Sequence, residues 1–139
     1  MTTPEFSAYD RLYLYSGTRG RDTFILQHVV DAHGAQIATE ETKPIALVFA
    51  LIGLFLHIEI GFTGLRVQQV HMKLGRNKHR WPTITLPVQR GDVTAADVLK
   101  VPAGPERDAA ISEWCRSVWT AYRENRERII DLLQRHGVI

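Results

Sequence analysis

The side chains best suited to chemistry near neutral pH in this 139-residue chain are its histidines: His28, His33, His57, His71, His79 and His136. His136 falls in a terminal helical turn, where it complements the helix dipole, and His79 belongs to a basic loop. His33 follows His28 by five residues, which turns a helix through about 500°, roughly 140° net, so it points away. His28, His57 and His71 remain, one on each of three successive helical segments. His28 and Asp31 are three apart and share a helix face. A carboxylate beside an imidazole can fix its tautomer for catalysis or for a metal; the same pair can equally be a plain buried hydrogen bond. His57 closes an apolar stretch, with Gly53 one turn earlier allowing close approach. Glu59 projects about 200° away from His57, which argues against the two ligating one ion.

Three imidazoles, or two and a carboxylate, could bind Zn²⁺ or another divalent ion and leave a position open for water. The ion would lower the pKa of that water and supply hydroxide near neutral pH. Neither HxxxH nor HExxH occurs, so this metal reading stands beside two others: pocket or structural histidines, and metal-free acid–base work.

The elements that must position these residues read as helices. Ile45 to Leu56 is an unbroken apolar run of twelve residues. A membrane span needs about 20, so the run is expected to be the central helix of a bundle, covered on nearly all sides, over Pro44–Ile60. Asp22 is a candidate cap for a helix carrying Phe24, Ile25, Val29, Ala32 and Ala35. Thr63 is the candidate cap for a third helix that ends at Gly75. Over Ser7–Ser16, Tyr9, Leu12 and Tyr13 fit a helical stripe whereas Leu12 and Leu14 alternate like a strand; with few pairing partners elsewhere, a short helix is expected. Pro82, Pro87 and Gly91 punctuate residues 76–93, where Thr83–Val88 is expected to be a packed extended arm or small hairpin. Thr94 to Asp97 resembles a capping box. From Pro105 a seam of Ile111, Cys115, Val118, Tyr122, Ile129 and Leu132 runs toward His136, with a bend expected at Asn125. The chain is thus expected to be one mainly α domain, 1–139, an up-and-down helical bundle with an extended Pro-containing segment between its third and fourth helices.

This layout allows an axial count. With turns at Thr39–Pro44 and Ile60–Thr63, His28 lies 11 residues before the first turn and His57 lies 13 after it. At about 1.5 Å per residue the two are level to within about 3 Å. Asp31 is about 8 Å off level and remains a candidate for orienting His28. His71 is mismatched with His57 by about 7 Å, and Gln68 is closer to level.

Composition narrows the function classes. The chain is 45% hydrophobic and 23% charged, with 17 Lys+Arg against 15 Asp+Glu. It needs neither metal nor disulfide merely to fold, and the single cysteine, Cys115, excludes a disulfide framework or a Cys-rich zinc ribbon. No secretory signal is recognisable, so a cytoplasmic protein without membrane association is expected. No GxGxxG, Walker A or GxSxG sequence is present. Between Arg66 and Gly91 stand Arg66, Lys73, Arg76, Lys78, Arg80 and Arg90 with no acid. Arg76, Lys78 and Arg80 are the anion-binding candidates, with Trp81 available to stack on a base; the plain reading is a solvated basic loop. Trp114 and Trp119 are expected in the core or at a homodimer interface on the last helix.

Residues 27–36 (QHVVDAHGAQ), 43–64 (KPIALVFALIGLFLHIEIGFTG) and 66–74 (RVQQVHMKL) resemble a family of small bacterial proteins catalogued as a domain of unknown function. The WP…LP…RG run from Trp81, TAADVL at 94–99 and GPERDAAISEWCRSVW at 104–119 extend the resemblance over most of the chain. It implies a helical fold and no established activity, and its characteristic positions fall here at His28, Asp31, Gln36, His57, Gly61, Gln68, His71, Trp81 and Trp119. Bundles with inward histidines include the DinB-like metal-dependent enzymes, but those pair two histidines a turn apart on a late helix, a pair absent from Pro105–His136. The expected protein holds a His/Asp pocket for a small-molecule ligand. Its expected metal ligands for hydrolysis or transfer are His28, His57 and His71, with Asp31 and Gln68 supporting them. The alternatives are a self-associating interaction module and, third, a nucleic-acid or anion binder.

Overall fold

The computed structural model describes residues 7–76 and 80–139. Helix α1 (Ala8–Gly17) opens on a reciprocal cap: Asp10 N donates to Ser7 Oγ at 3.1 Å and Ser7 N donates to the Asp10 carboxylate at 3.2 Å. Helix α2 (Ile25–Gln36) does not start on Asp22 as expected. Phe24 occupies the cap position in a left-handed conformation, φ 47°, without a side-chain cap. The reason is tertiary. Gly64 N donates to Thr23 O at 2.8 Å, and a Cβ at Gly64 would collide with the Phe24 carbonyl. The entry to α2 is thus held by backbone from a segment about 40 residues later in the chain that packs against it, rather than by a local cap.

Helix α3 (Pro44–Phe55) is the expected central helix. Leu47, Val48 and every residue from Ala50 to Phe55 are buried. The helix changes pitch before its end: Leu56–Ile60 forms a π turn, stopped at Gly61 with φ 86°. Widening the helix shifts the angular phase of the residues in the turn, His57 among them. Helix α4 (Gly64–Gly75) follows with Thr63 as cap, its Oγ1 accepting from Arg66 N at 3.2 Å.

Residues 80–94 form an arm without regular secondary structure, and no strand occurs among the described residues. The arm satisfies its backbone through side chains instead. Asn125 accepts from Thr85 N at 2.7 Å and donates to Thr85 O at 2.9 Å, much as a neighbouring strand would. Gln36 donates to Val93 O at 2.8 Å, and Arg90 donates to Pro87 O and Ala38 O. Thr94 and Asp97 form the expected capping box of the short helix α5 (Ala95–Leu99).

The last segment is two helices rather than one: α6 (Pro105–Ala121), a 3₁₀ turn at Arg123–Asn125, and α7 (Arg126–Arg135). The helix breaks where the fully buried Asn125 turns inward to pair with the arm. The fold is mainly α and forms a helical bundle. α2 packs on α1, α3, α4 and α6, and α3 also meets α4, α6 and α7. Among the described residues no helix is long and apolar enough to cross a membrane.

Candidate functional site

His28 sits in the first turn of α2 on its buried face, His57 in the π turn after α3, and Ser112 in the second turn of α6. The two imidazoles are stacked, with ring centroids 3.5 Å apart and planes tilted by 17°. The axial count therefore places the right pair at one level. Beside them opens a cleft of about 410 Å³, lined also by Ile25, Phe62, Asp108, Ile111 and Ser112.

Each ring has a defined electrostatic state. Burial and, to a smaller extent, the neighbouring His57 together push the pKa of His28 down to about 3. Burial lowers His57 as well, against the Phe62 carbonyl, which favours its protonated form; Arg116 adds a smaller lowering. Two rings in van der Waals contact are thus neutral at pH 7. The hydrogen bonds select the tautomer of His57. Its Nδ1 lies 3.4 Å from Phe62 O, an atom that can only accept, so Nδ1 carries the proton. Nε2 is then a bare lone pair, and Ser112 Oγ donates to it at 3.1 Å.

Asp31 lies behind this pair and does not orient His28 as the sequence suggested. Its Oδ1 accepts from Gln27 Nε2 at 3.0 Å, while Oδ2 and His28 Nδ1 have no protein partner. The carboxyl is drawn instead into the gap left by Gly53 on α3, where a Cβ would overlap Oδ2. Burial raises its pKa well above the ordinary range, against the Gln27 hydrogen bond, which favours the neutral acid over the carboxylate. Cys115 is fully buried one turn beyond Ser112 on α6, its thiol pushed upward by burial and then by Asp31.

His71 belongs to a different cluster. Its Nε2 donates to Phe49 O at 2.8 Å, and its ring lies 4.8 Å from that of Phe49 at 8°. Trp81 meets Phe49 edge-on at 5.4 Å. Gln68, also on α4, is half-buried and does not line the cleft. Among the described residues no group of three His, Cys, Asp or Glu is arranged to hold a metal ion. The stack itself explains part of this. An imidazole binds an ion in its own ring plane at about 2.0–2.1 Å. Two planes 3.5 Å apart and tilted by 17° meet only roughly 11 Å away (3.5 divided by tan 17°), far beyond that bond length.

The remaining candidates have structural partners. Glu59 turns away from His57, as expected, and receives Arg126 and the Trp119 indole N–H at 2.7 Å. Trp119 is 5% exposed and Trp114 is fully buried, its N–H on Gln36 at 2.9 Å. Both indoles are core residues and present no surface for a dimer. Arg66 covers the Phe62 ring at 4.0 Å, and Arg90 is committed to backbone carbonyls. Arg76 and Arg80 are exposed; Lys78 and His79 lie outside the described residues. The site residue that sequence reasoning missed is Ser112. Its signal was a small hydroxyl at the edge of an apolar seam, next to Ile111 and one turn before Cys115.

No curated protein and no solved structure matches the chain significantly. Residues 6–123, most of the sequence, match a family described only as being of unknown function, and the chain belongs to that family, DUF5946.

Proposed function

We propose that the protein binds a small, largely uncharged molecule in the cleft between α2, the π turn and α6, and transfers protons on it through neutral His57. The observation that carries this reading is the stacked His28–His57 pair at the wall of a cleft of about 410 Å³. That volume is within the range of small-ligand sites, about 300–1,000 Å³. Apolar walls from Ile25, Phe62 and Ile111 suit an uncharged body, and the lone pair of His57 Nε2 is the basic atom at the wall. A base of this kind is useful only if unprotonated at working pH, and burial supplies that condition. The reading uses no resident metal.

Two measurements on purified full-length protein test it. Long-range ¹H–¹⁵N spectra of the imidazoles are expected to show His57 as the Nδ1–H tautomer, with its signals shifting when cleft-sized fragments bind. Elemental analysis is expected to find no stoichiometric divalent metal. A stoichiometric ion that is lost in His57→Ala would overturn the proposal in favour of the metal site.

A further inference from the structure

The contact between Ser112 and His57 deepens that reading, on which it rests: we propose that Ser112 is the nucleophile of an acyl-transfer site, with His57 as its base and a small apolar acyl ester as substrate. The geometry holds three of the parts such a site uses: a hydroxyl, a base within hydrogen-bond reach of it, and a group that orients the base. Ser112 Oγ is 3.1 Å from His57 Nε2, and Phe62 O, 3.4 Å from Nδ1, directs the opposite nitrogen. The His28 ring lies flat on the other side at 3.5 Å, which blocks the imidazole from turning over. A serine inside a helix ordinarily returns its hydroxyl to the carbonyl four residues back. Here the hydroxyl reaches across to another element instead. The same cleft that exposes Ser112 is walled by Ile25, Phe62, Ala109 and Ile111, which fit an apolar acyl chain.

The chemistry balances without a further reagent except water. As Ser112 Oγ bonds to the ester carbonyl carbon, its proton moves to His57 Nε2. The bond from that carbon to the leaving oxygen then breaks, and the alkoxide takes the proton from Nε2 and departs as an alcohol. Water attacks the acyl-serine, gives its proton to Nε2, and releases a carboxylic acid as Ser112 regains its hydrogen. The orienting group is a neutral carbonyl, so the imidazolium formed on the way is less stabilised than one facing a carboxylate. Acylation should therefore be easier to detect than rapid turnover.

The test is covalent capture on the full chain, using an alkyl fluorophosphonate and, separately, p-nitrophenyl acetate. Intact mass and peptide mapping are expected to show one adduct, on Ser112. Ser112→Ala should abolish it, and His57→Ala should slow it by about 10²-fold or more, with circular dichroism confirming that both variants fold. No adduct on Ser112 in folded wild-type protein, or equal labelling of folded Ser112→Ala, overturns the proposal. If that happens while His57 still shows the expected tautomer and fragment-induced shifts, the pocket reading stands and only the nucleophile is lost.

Discussion

Replacing His28 by phenylalanine should flatten the acid limb of the stability curve. The folded-state pKa of His28 is about 3 against an ordinary value of 6.5, because burial and His57 both oppose its charge. Between those values the unfolded chain binds the proton and the folded chain does not. Stability supplied by the neutral ring is therefore complete above pH 6.5 and is lost as pH falls toward 3. Linkage with these two values gives a loss of about 2 kcal/mol between pH 7 and pH 5, and about 3 kcal/mol by pH 4. His57, also lowered, adds acid lability, whereas the raised Asp31 works in the opposite sense, since its burial favours the neutral form and its ionisation opposes folding. Both remain in the variant, so the difference between the two curves isolates position 28. Phenylalanine keeps a flat ring against His57 and removes only the titration. The assay is urea unfolding at a series of pH values, with the histidine pKa read by NMR in parallel. Parallel curves for wild type and variant, together with a His28 pKa near 6.5, would refute the reasoning.

Two further perturbations test the packing around the site. Gly53→Ala should lose about 1–2 kcal/mol, because the methyl overlaps Asp31 Oδ2 and outweighs a helix-propensity gain of about 1 kcal/mol. In an Asp31→Ala background the same change should become neutral or stabilising, and additive effects in the double-mutant cycle would contradict the contact. Asn125→Ala removes the hydrogen bonds to Thr85 and Tyr122 O, and should cost about 2–4 kcal/mol. Hydrogen exchange at the Thr85 amide should accelerate ahead of that in α3; unchanged exchange there would show that the arm is held by something else.

Much of the framework is decided by local rules that a sequence carries openly. The run from Ile45 to Leu56 has no polar face, so its helix has to be central wherever it packs. The caps at Thr63 and Thr94 mark helix starts, because a side-chain oxygen satisfies backbone N–H groups only a few residues away. Even the meeting of His28 with His57 follows from helix rise and two turn positions.

What tertiary structure alone decided is direction and partnership. The stack of the rings and the tautomer of His57 depend on the π turn and on Phe62 O, and neither has a local sequence code. Asp31 faces Gly53 and Gln27 rather than His28, since an absent side chain on another helix made room for it. His71 belongs with Phe49 O because α4 carries it there, as the mismatch of level had suggested. Ser112 becomes notable only through a contact 55 residues away in sequence. Spacing along a chain determines which face of a helix a residue occupies, whereas the atom it meets depends on a neighbour brought in by the fold.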